Sequence, residues 1–459
     1  MILGDESDNG DDGMTTSFPE RPRLLILAHL CNPDFGSEPG LGWNWTLQAA
    51  KHFETWVLCD EQYNRTAIER FIGQQGAIAN LKFAFVPPGR AEVLLRRVPG
   101  MFYAAYNFWH RRAFRIASEM HARVQFDLIH QLNLNGFREP GYLWKLDAPL
   151  VWGPVGGAQN YPWRFLTGAG WSGATNELIR NLLNTLQLRT ARRVGFAARK
   201  AKVLLAATSV NARAIAKRRR APVRVMLETG VHVDRMPPVR EFQHGGPLRI
   251  LWSGVFEHRK ALHLLLHALA ALPQHVKYEL QILGRGPLEK RWRRIARNLD
   301  VDRHCQWLGW LDHDEALVRF RWADVFVFSS LRDTSGTVML ESLAAGTPVV
   351  CFNHQGAGEI VTAQCGLKLA VTKPSEAIRL LAETLTRCHD HREELQQLSR
   401  GALERAEYYA WNRQGQRMAA IYREILGMQA LPDVDSMTEL SDKSCRPEPV
   451  VVGSYSGEM

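Results

Sequence analysis

The stretch 323–352 constrains this chain more than any other. An apolar run, Ala323-Asp324-Val325-Phe326-Val327-Phe328, leads into Arg332-Asp333-Thr334-Ser335-Gly336-Thr337-Val338-Met339-Leu340-Glu341. A second apolar run then extends from Pro348 to Phe352. Two runs of strand length around a Gly turn and a short periodic segment read as strand, loop, helix, strand. In such a unit the loop lies at the carboxyl edge of a parallel sheet, and the helix N-terminus faces a crevice where its free N–H groups and dipole suit a phosphate. Asp333 then sits on the crevice loop and Glu341 on the first turns of the helix. A carboxylate there can take both hydroxyls of a sugar or ribose, since it accepts two hydrogen bonds at once. A helix cap at Asp333 and a solvated Glu341 satisfy the same spacing, so the pair alone leaves both readings open.

Two further βα units stand upstream. In the first, Arg249-Ile250-Leu251-Trp252-Ser253-Gly254-Val255-Phe256-Glu257-His258-Arg259-Lys260, a β-run ends at Gly254. Arg259 and Lys260 then fall at the start of an apolar helix carrying Leu262, Leu265, Leu266 and Leu269. Cations at a helix N-terminus oppose its dipole, so the placement implies an anion alongside. A diphosphate suits both, gripped bidentately by Arg and met by Lys as a point charge; two solvated surface cations are the plainer alternative. In the second unit, Leu283-Gly284-Arg285-Gly286-Pro287, the glycines permit positive φ and close backbone approach, and Pro287 suits the first position of a helix.

The amino-terminal half opens with a strand, Arg23-Leu24-Leu25-Ile26-Leu27-Ala28, and the loop Phe35-Gly36-Ser37-Glu38-Pro39-Gly40. Its glycines suit a backbone passing close to a ligand, or an ordinary tight turn. A short apolar strand ends around His130 (Asp127-Leu128-Ile129-His130), and a lone His at such a place is commonly a satisfied structural residue. Val151-Trp152-Gly153-Pro154-Val155-Gly156-Gly157-Ala158-Gln159 is another Gly-bearing, aromatic-flanked loop.

In order, Ser253-Gly254 with Lys260 six positions on, Gly284-x-Gly286-Pro287, an acid with Glu eight positions on, and Ala345-Gly346-Thr347-Pro348-Val349-Val350 resemble the family four retaining glycosyltransferases of the GT-B fold. The likeness is dense over 248–360 and looser before it. The resemblance implies an α/β protein of two Rossmann-like β/α/β domains facing across a cleft, and transfer of a sugar from a nucleotide-sugar donor with retention. It assigns Arg259 and Lys260 to the diphosphate, Glu341 to the ribose, and Asp333, Thr334, Ser335, Gly336 and Thr337, with Gly254 and Gly284, to the donor. Gly36, Ser37, Glu38 and Gly40 resemble the family's phosphate and acceptor loop, and His130 resembles a strand-end His near the donor sugar. The sequence departs from the pattern at Asp333, where Glu is usual, at Arg285, where an acid is more common, and at Thr229, which replaces Asn in Thr229-Gly230-Val231-His232-Val233-Asp234.

With 459 residues, the chain exceeds one core and suits two domains with tails. The expected organisation is a disordered acidic start over 1–20, an acceptor domain over 21–240 and a donor domain over 241–412. A helix over 413–428 then crosses back to the first domain, ahead of a disordered tail over 429–459. Asp300-Val301-Asp302 and Asp312-His313-Asp314 have metal-binding DxD spacing but flank element ends outside the proposed crevice. No cofactor and no metal are therefore expected, with fixed cations neutralising the leaving diphosphate. Seven scattered cysteines without CxxC spacing suit a reducing compartment and no structural zinc. No signal peptide or membrane-spanning run is seen, so a cytoplasmic location is expected.

The net charge of +10 is uneven. Between 90 and 126, Arg90, Arg96, Arg97, Arg111, Arg112, Arg115 and Arg123, against Glu92 and Glu119, interleave with Met101, Phe102, Tyr103, Tyr106, Phe108 and Trp109, the segment around 101–115 being the expected contact, and twelve cations without an acid fall between 180 and 220. Such composition suits an anionic bilayer face first, a solvated helix face next and nucleic acid last, no nucleic-acid motif being present. The first reading puts the protein at the inner face of the membrane. Expected partners are thus a nucleotide sugar, a glycan or lipid-linked acceptor in cell-surface polysaccharide or glycolipid synthesis, an anionic membrane surface, and no nucleic acid. Rival functions are a nucleotide-sugar epimerase, a non-catalytic nucleotide-sugar-binding protein and, weakest because GxGxxG is missing from the first loop, a nicotinamide dehydrogenase.

Overall fold

The computed structural model describes residues 21–429 apart from 220–221, 235 and 243–244; the expected disordered start over 1–20, and the expected disordered tail over 429–459 except its first residue, lie outside the described residues. Two parallel sheets organise the chain. The first contains β1 (Arg23–Ala28), β2 (Glu54–Asp60), β3 (Leu81–Val86), β4 (Leu128–Asn133), β5 (Leu150–Val155), β6 (Val203–Ala206) and β7 (Arg224–Val225), in the order β3-β2-β1-β4-β5-β6-β7. The second contains β8 (Leu248–Ser253), β9 (Tyr278–Leu283), β10 (Cys305–Gly309), β11 (Val325–Phe328), β12 (Val349–Phe352) and β13 (Gly366–Leu369), in the order β10-β9-β8-β11-β12-β13. This is the expected α/β architecture of two Rossmann-like domains.

Helices cover both faces of each sheet, which is why strands such as β5, β6, β11 and β12 are buried at every position and read in the sequence as unbroken apolar runs. Each order reverses once in the middle. β1 lies between β2 and β4, and β8 between β9 and β11. Connections leaving two neighbouring strands on opposite faces open a crevice at their carboxyl ends, so the loops after β1, β4, β8 and β11 are where ligands are expected.

The helix Trp411–Ile425 follows the second sheet in sequence but packs on the first. Trp411, Met418, Ala419 and Tyr422 form its buried stripe among Leu24, Ile26, Trp45 and Phe53. Trp411 meets the Trp45 ring at 5.4 Å and Tyr422 meets Phe53 at 5.4 Å.

Candidate active site

On the carboxyl-terminal side, β8 runs into a short 3-10 turn, His258–Lys260, and Ala261 adopts φ +50° to enter the helix Leu262–Ala270. Leu262, Leu264, Leu265, Leu266 and Leu269 are buried, which anchors the turn and fixes Arg259 and Lys260 at the crevice. The loop after β11 brings Asp333 against them. Its Oδ2 accepts from Lys260 Nζ and, at 3.4 Å, from Arg259 Nη1. Burial by itself would raise the Asp333 carboxyl, but the Lys260 and Arg259 charges outweigh it and hold the group below its ordinary range. The anion that the cation pair called for is thus, in this structure, Asp333 itself. Gly254 and Gly284 form the wall beside them. Gly284 has φ +127°, and a Cβ there would lie 1.9 Å from Gly254 O, so only glycine fits.

Asp333 does not cap the following helix, Thr337–Ala344. Its N-cap is Gly336, at φ +70°. Nor is Glu341 solvated: it is 18% exposed, its carboxyl is raised by burial, and the His313 ring lies 3.9 Å away. Both observations remove the plain capping reading of the acid pair.

The first domain reaches the same loop. Gln159 Nε2 donates to Thr334 Oγ1 at 2.7 Å. Ser335 Oγ donates to Glu228 Oε1 at 2.6 Å, and Asn135 Nδ2 donates to the same oxygen at 3.1 Å. The Asn135 N–H in turn points at Glu38 Oε1, 3.5 Å away. Burial pushes both the Glu38 and the Glu228 carboxyls up to about 7. Gln355 bridges the two sides, donating to Asn160 O and accepting from the Asp333 N–H, each at 2.9 Å. Glu177 forms a fourth link: it accepts from Arg332 at 2.7 and 2.9 Å and from His258 Nε2 at 2.9 Å. Burial would raise this carboxyl, but the His258 and Arg332 hydrogen bonds and charges bring it down to about 2.

Of the residues singled out in the sequence, Arg259, Lys260, Asp333, Thr334, Ser335, Gly336, Thr337, Gly254 and Gly284 therefore converge at one sheet edge, with Glu341 one helical turn along. Gly36, Ser37, Glu38 and Gly40 enter the helix Ser37–Ala50 opposite them; Gly40 is pinned because a Cβ would lie 2.4 Å from Phe35 O.

His130 is a correction. It is 1% exposed, its Nε2 lies 2.5 Å from Gly153 O and its Nδ1 2.5 Å from Tyr422 Oη, and burial lowers it to about 4. Leu128 and Leu132, two positions to either side, share its face of β4 and belong to the core beneath the Trp411–Ile425 helix. His130 is a satisfied core residue, and no crevice role remains for it.

In each DxD spacing an aspartate has a partner within the protein. Asp312 forms a capping box with Glu315, and Asp302 accepts from Trp307 Nε1 at 3.1 Å. Among the described residues the cluster with metal-ligand geometry is His275, His389 and Asp390, on a different surface of the second domain. Glu177, Glu228, Asn135 and Gln355 were not legible as site residues, because each reaches the crevice from a loop or helix without a motif. The signal available for Glu228 was its place beside the Thr229-Gly230 turn.

Comparison with known proteins narrows the chemistry. Residues 239–405 match the family model described as Glycosyl transferases group 1. Over 150 residues, 32% of this chain, the sequence is 34% identical to glycogen synthase of Mycobacterium tuberculosis, covering 36% of that relative. It is 33% identical over 168 residues, 36% of the chain, to the GDP-mannose-dependent alpha-(1-6)-phosphatidylinositol dimannoside mannosyltransferase of Mycobacterium tuberculosis, covering 40% of it. The chain thus matches little more than a third of the length of these relatives. In fold, it is similar to Alr3699/HepE of Anabaena solved with UDP and glucose, with a TM-score of 0.57 at 16% identity, over 88% of this chain and 100% of that one.

Proposed function

We propose that this chain, whose residues 239–405 match the family model of glycosyl transferases group 1, transfers a sugar from a nucleotide-sugar donor to a glycan or lipid-linked acceptor, with retention at the anomeric carbon. The observation carrying this is the convergence of Arg259, Lys260 and the 333–337 loop at the reversal point of the second sheet, with Glu38, Asn135, Gln159 and Glu228 of the first domain facing them. The donor diphosphate displaces Asp333 as the partner of Arg259 and Lys260. Asp333 is then released toward the donor sugar, and Glu341 accepts from the ribose hydroxyls. As the glycosidic bond to the diphosphate breaks, its growing negative charge is met by two cations already in place, so the barrier falls without reorganisation and no metal is needed. The acceptor hydroxyl attacks on the face the diphosphate leaves, and the departing phosphate takes its proton.

The relatives differ in nucleotide: the mannosyltransferase is named for GDP-mannose, and the cyanobacterial structure holds UDP. Thermal shift with UDP-, GDP- and ADP-sugars selects the base, since a ligand bound only by the folded state stabilises it with the logarithm of its concentration over Kd. Turnover of the selected donor in the presence of EDTA, with NMR of the product's anomeric configuration, then tests the proposal. Unchanged rate and retention support it; a donor isomerised without acceptor points to an epimerase, and binding without turnover to a sensor.

A further inference from the structure

The helix Gly170–Thr190 is built inside out. Its buried positions are Gly173, Glu177, Asn181 and Asn184, a single helical face by their spacing. They are there to satisfy the crevice loops. Asn181 bonds both backbone groups of Tyr161 at 3.0 and 2.9 Å, Asn184 donates to Ala158 O at 2.8 Å, and Glu177 holds Arg332 and His258. The opposite face carries Trp171, Leu178, Ile179, Leu182, Leu183 and Leu186, all exposed, Trp171 by 94%. A surface helix ordinarily turns its apolar stripe to the core, and a contiguous stripe left outside marks a binding surface.

Charge decides the occupant. From 178 to 227 the chain has no Asp or Glu, and Arg189, Arg192, Arg199 and Lys200 are exposed around the half-exposed Phe196. A second copy would oppose these cations with its own, whereas an apolar stripe flanked by cations matches an interfacial helix on acidic lipid. We propose that the outward face of Gly170–Thr190 docks on an anionic lipid surface.

The location differs from the one expected over 101–115. There Tyr106 and Trp109 are buried, and Arg112 is engaged by Glu92 and Pro87 O. Of that segment, Tyr103 lies beside the new surface: the Arg138 guanidinium, 5.9 Å from the Tyr103 ring, donates to Asn184 and Gln187 at 2.9 and 2.7 Å. Since the inner face of the same helix holds the crevice loops, docking sets the crevice beside the lipid. The docking surface itself is independent of the donor chemistry.

The test is flotation of the full chain with vesicles of phosphatidylcholine alone or mixed with phosphatidylglycerol, at low and high salt. Wild type is expected to float with the mixed vesicles at low salt. Leu182→Glu/Leu186→Glu should reduce the bound fraction at least about tenfold, and Arg192→Glu/Lys200→Glu about tenfold or more, each cation near an acidic leaflet contributing about fivefold. Both variants replace exposed residues and should keep the wild-type circular dichroism and nucleotide response. Flotation that ignores lipid charge, or persists in both variants, overturns the proposal. So does an absence of flotation, and light scattering that finds a dimer split by Leu182→Glu/Leu186→Glu would assign the face to a second copy.

Discussion

Glu177 should behave as an electrostatic clamp between the two domains. It is 1% exposed, while Arg332 and His258, its partners from the second domain, are 17% and 22% exposed. Its carboxyl falls from 4.5 to about 2; at about 1.4 kcal/mol per unit, that is about 3 kcal/mol of preference for the charged, paired form. Glu177→Gln, which keeps the volume and removes the charge, should therefore cost about 2–3 kcal/mol at pH 7. The sign follows from the depression: the contribution is complete above the unfolded value near 4.5 and disappears as pH falls toward 2. By pH 4 the difference between wild type and variant should have shrunk by about 1 kcal/mol. Urea unfolding at pH 7, 5.5 and 4, followed through each domain's own tryptophans, measures it. Arg332 O also accepts from Arg259 Nη1 at 3.4 Å, so donor KM should rise in the same variant. A difference under about 0.5 kcal/mol at pH 7, or one that does not change with pH, would refute the clamp.

Glu228 and Glu38 should act in the opposite sense. Both are pushed up to about 7 by burial, and Glu228 also faces Asp333; stability should be greatest below about 4.5 as far as these groups decide it, and decline as pH rises to about 7. Glu228→Gln should flatten that decline in melts recorded from pH 5 to 8, and a slope unchanged by the substitution contradicts the assignment. Gly284→Ala should destabilise by about 3 kcal/mol or more, because the new methyl meets Gly254 O at 1.9 Å with φ at +127°; a variant melting within a degree of wild type would speak against it. Glu341→Ala should chiefly raise donor KM, and Asp333→Ala chiefly lower kcat; equal, small effects from both would return the pair to structural roles.

How far the sequence carried the structure depended on the range of the interaction. Strands β8 and β11, and the loops carrying Lys260 and Asp333, were legible because each strand carries an unbroken apolar run, the first ending at Gly254 and the second leading into a polar loop that turns at Gly336, and such runs are local signals. His130 resembles a family histidine by its place at a strand end, and the Tyr422 hydroxyl that makes it a core residue comes from 292 positions away. The Gly170–Thr190 helix could not be oriented from its pattern: leucine periodicity predicts an inward apolar face, and the polar face wins because backbone groups at 158–161 and Arg332 would otherwise be left without partners. Glu228 and Gln355 are bonded to residues 107 and 195 positions away, a separation that no local motif encodes.

In the proposed reaction Arg259 and Lys260 hold the donor diphosphate and stabilise it as it leaves. Single-turnover kinetics with the donor chosen by the nucleotide screen, comparing wild type with Arg259→Ala and Lys260→Ala, test it most directly. The rate of the chemical step should fall by about 100-fold or more in each variant, with circular dichroism unchanged. A folded Lys260→Ala or Arg259→Ala that turns over its donor near the wild-type rate would contradict it.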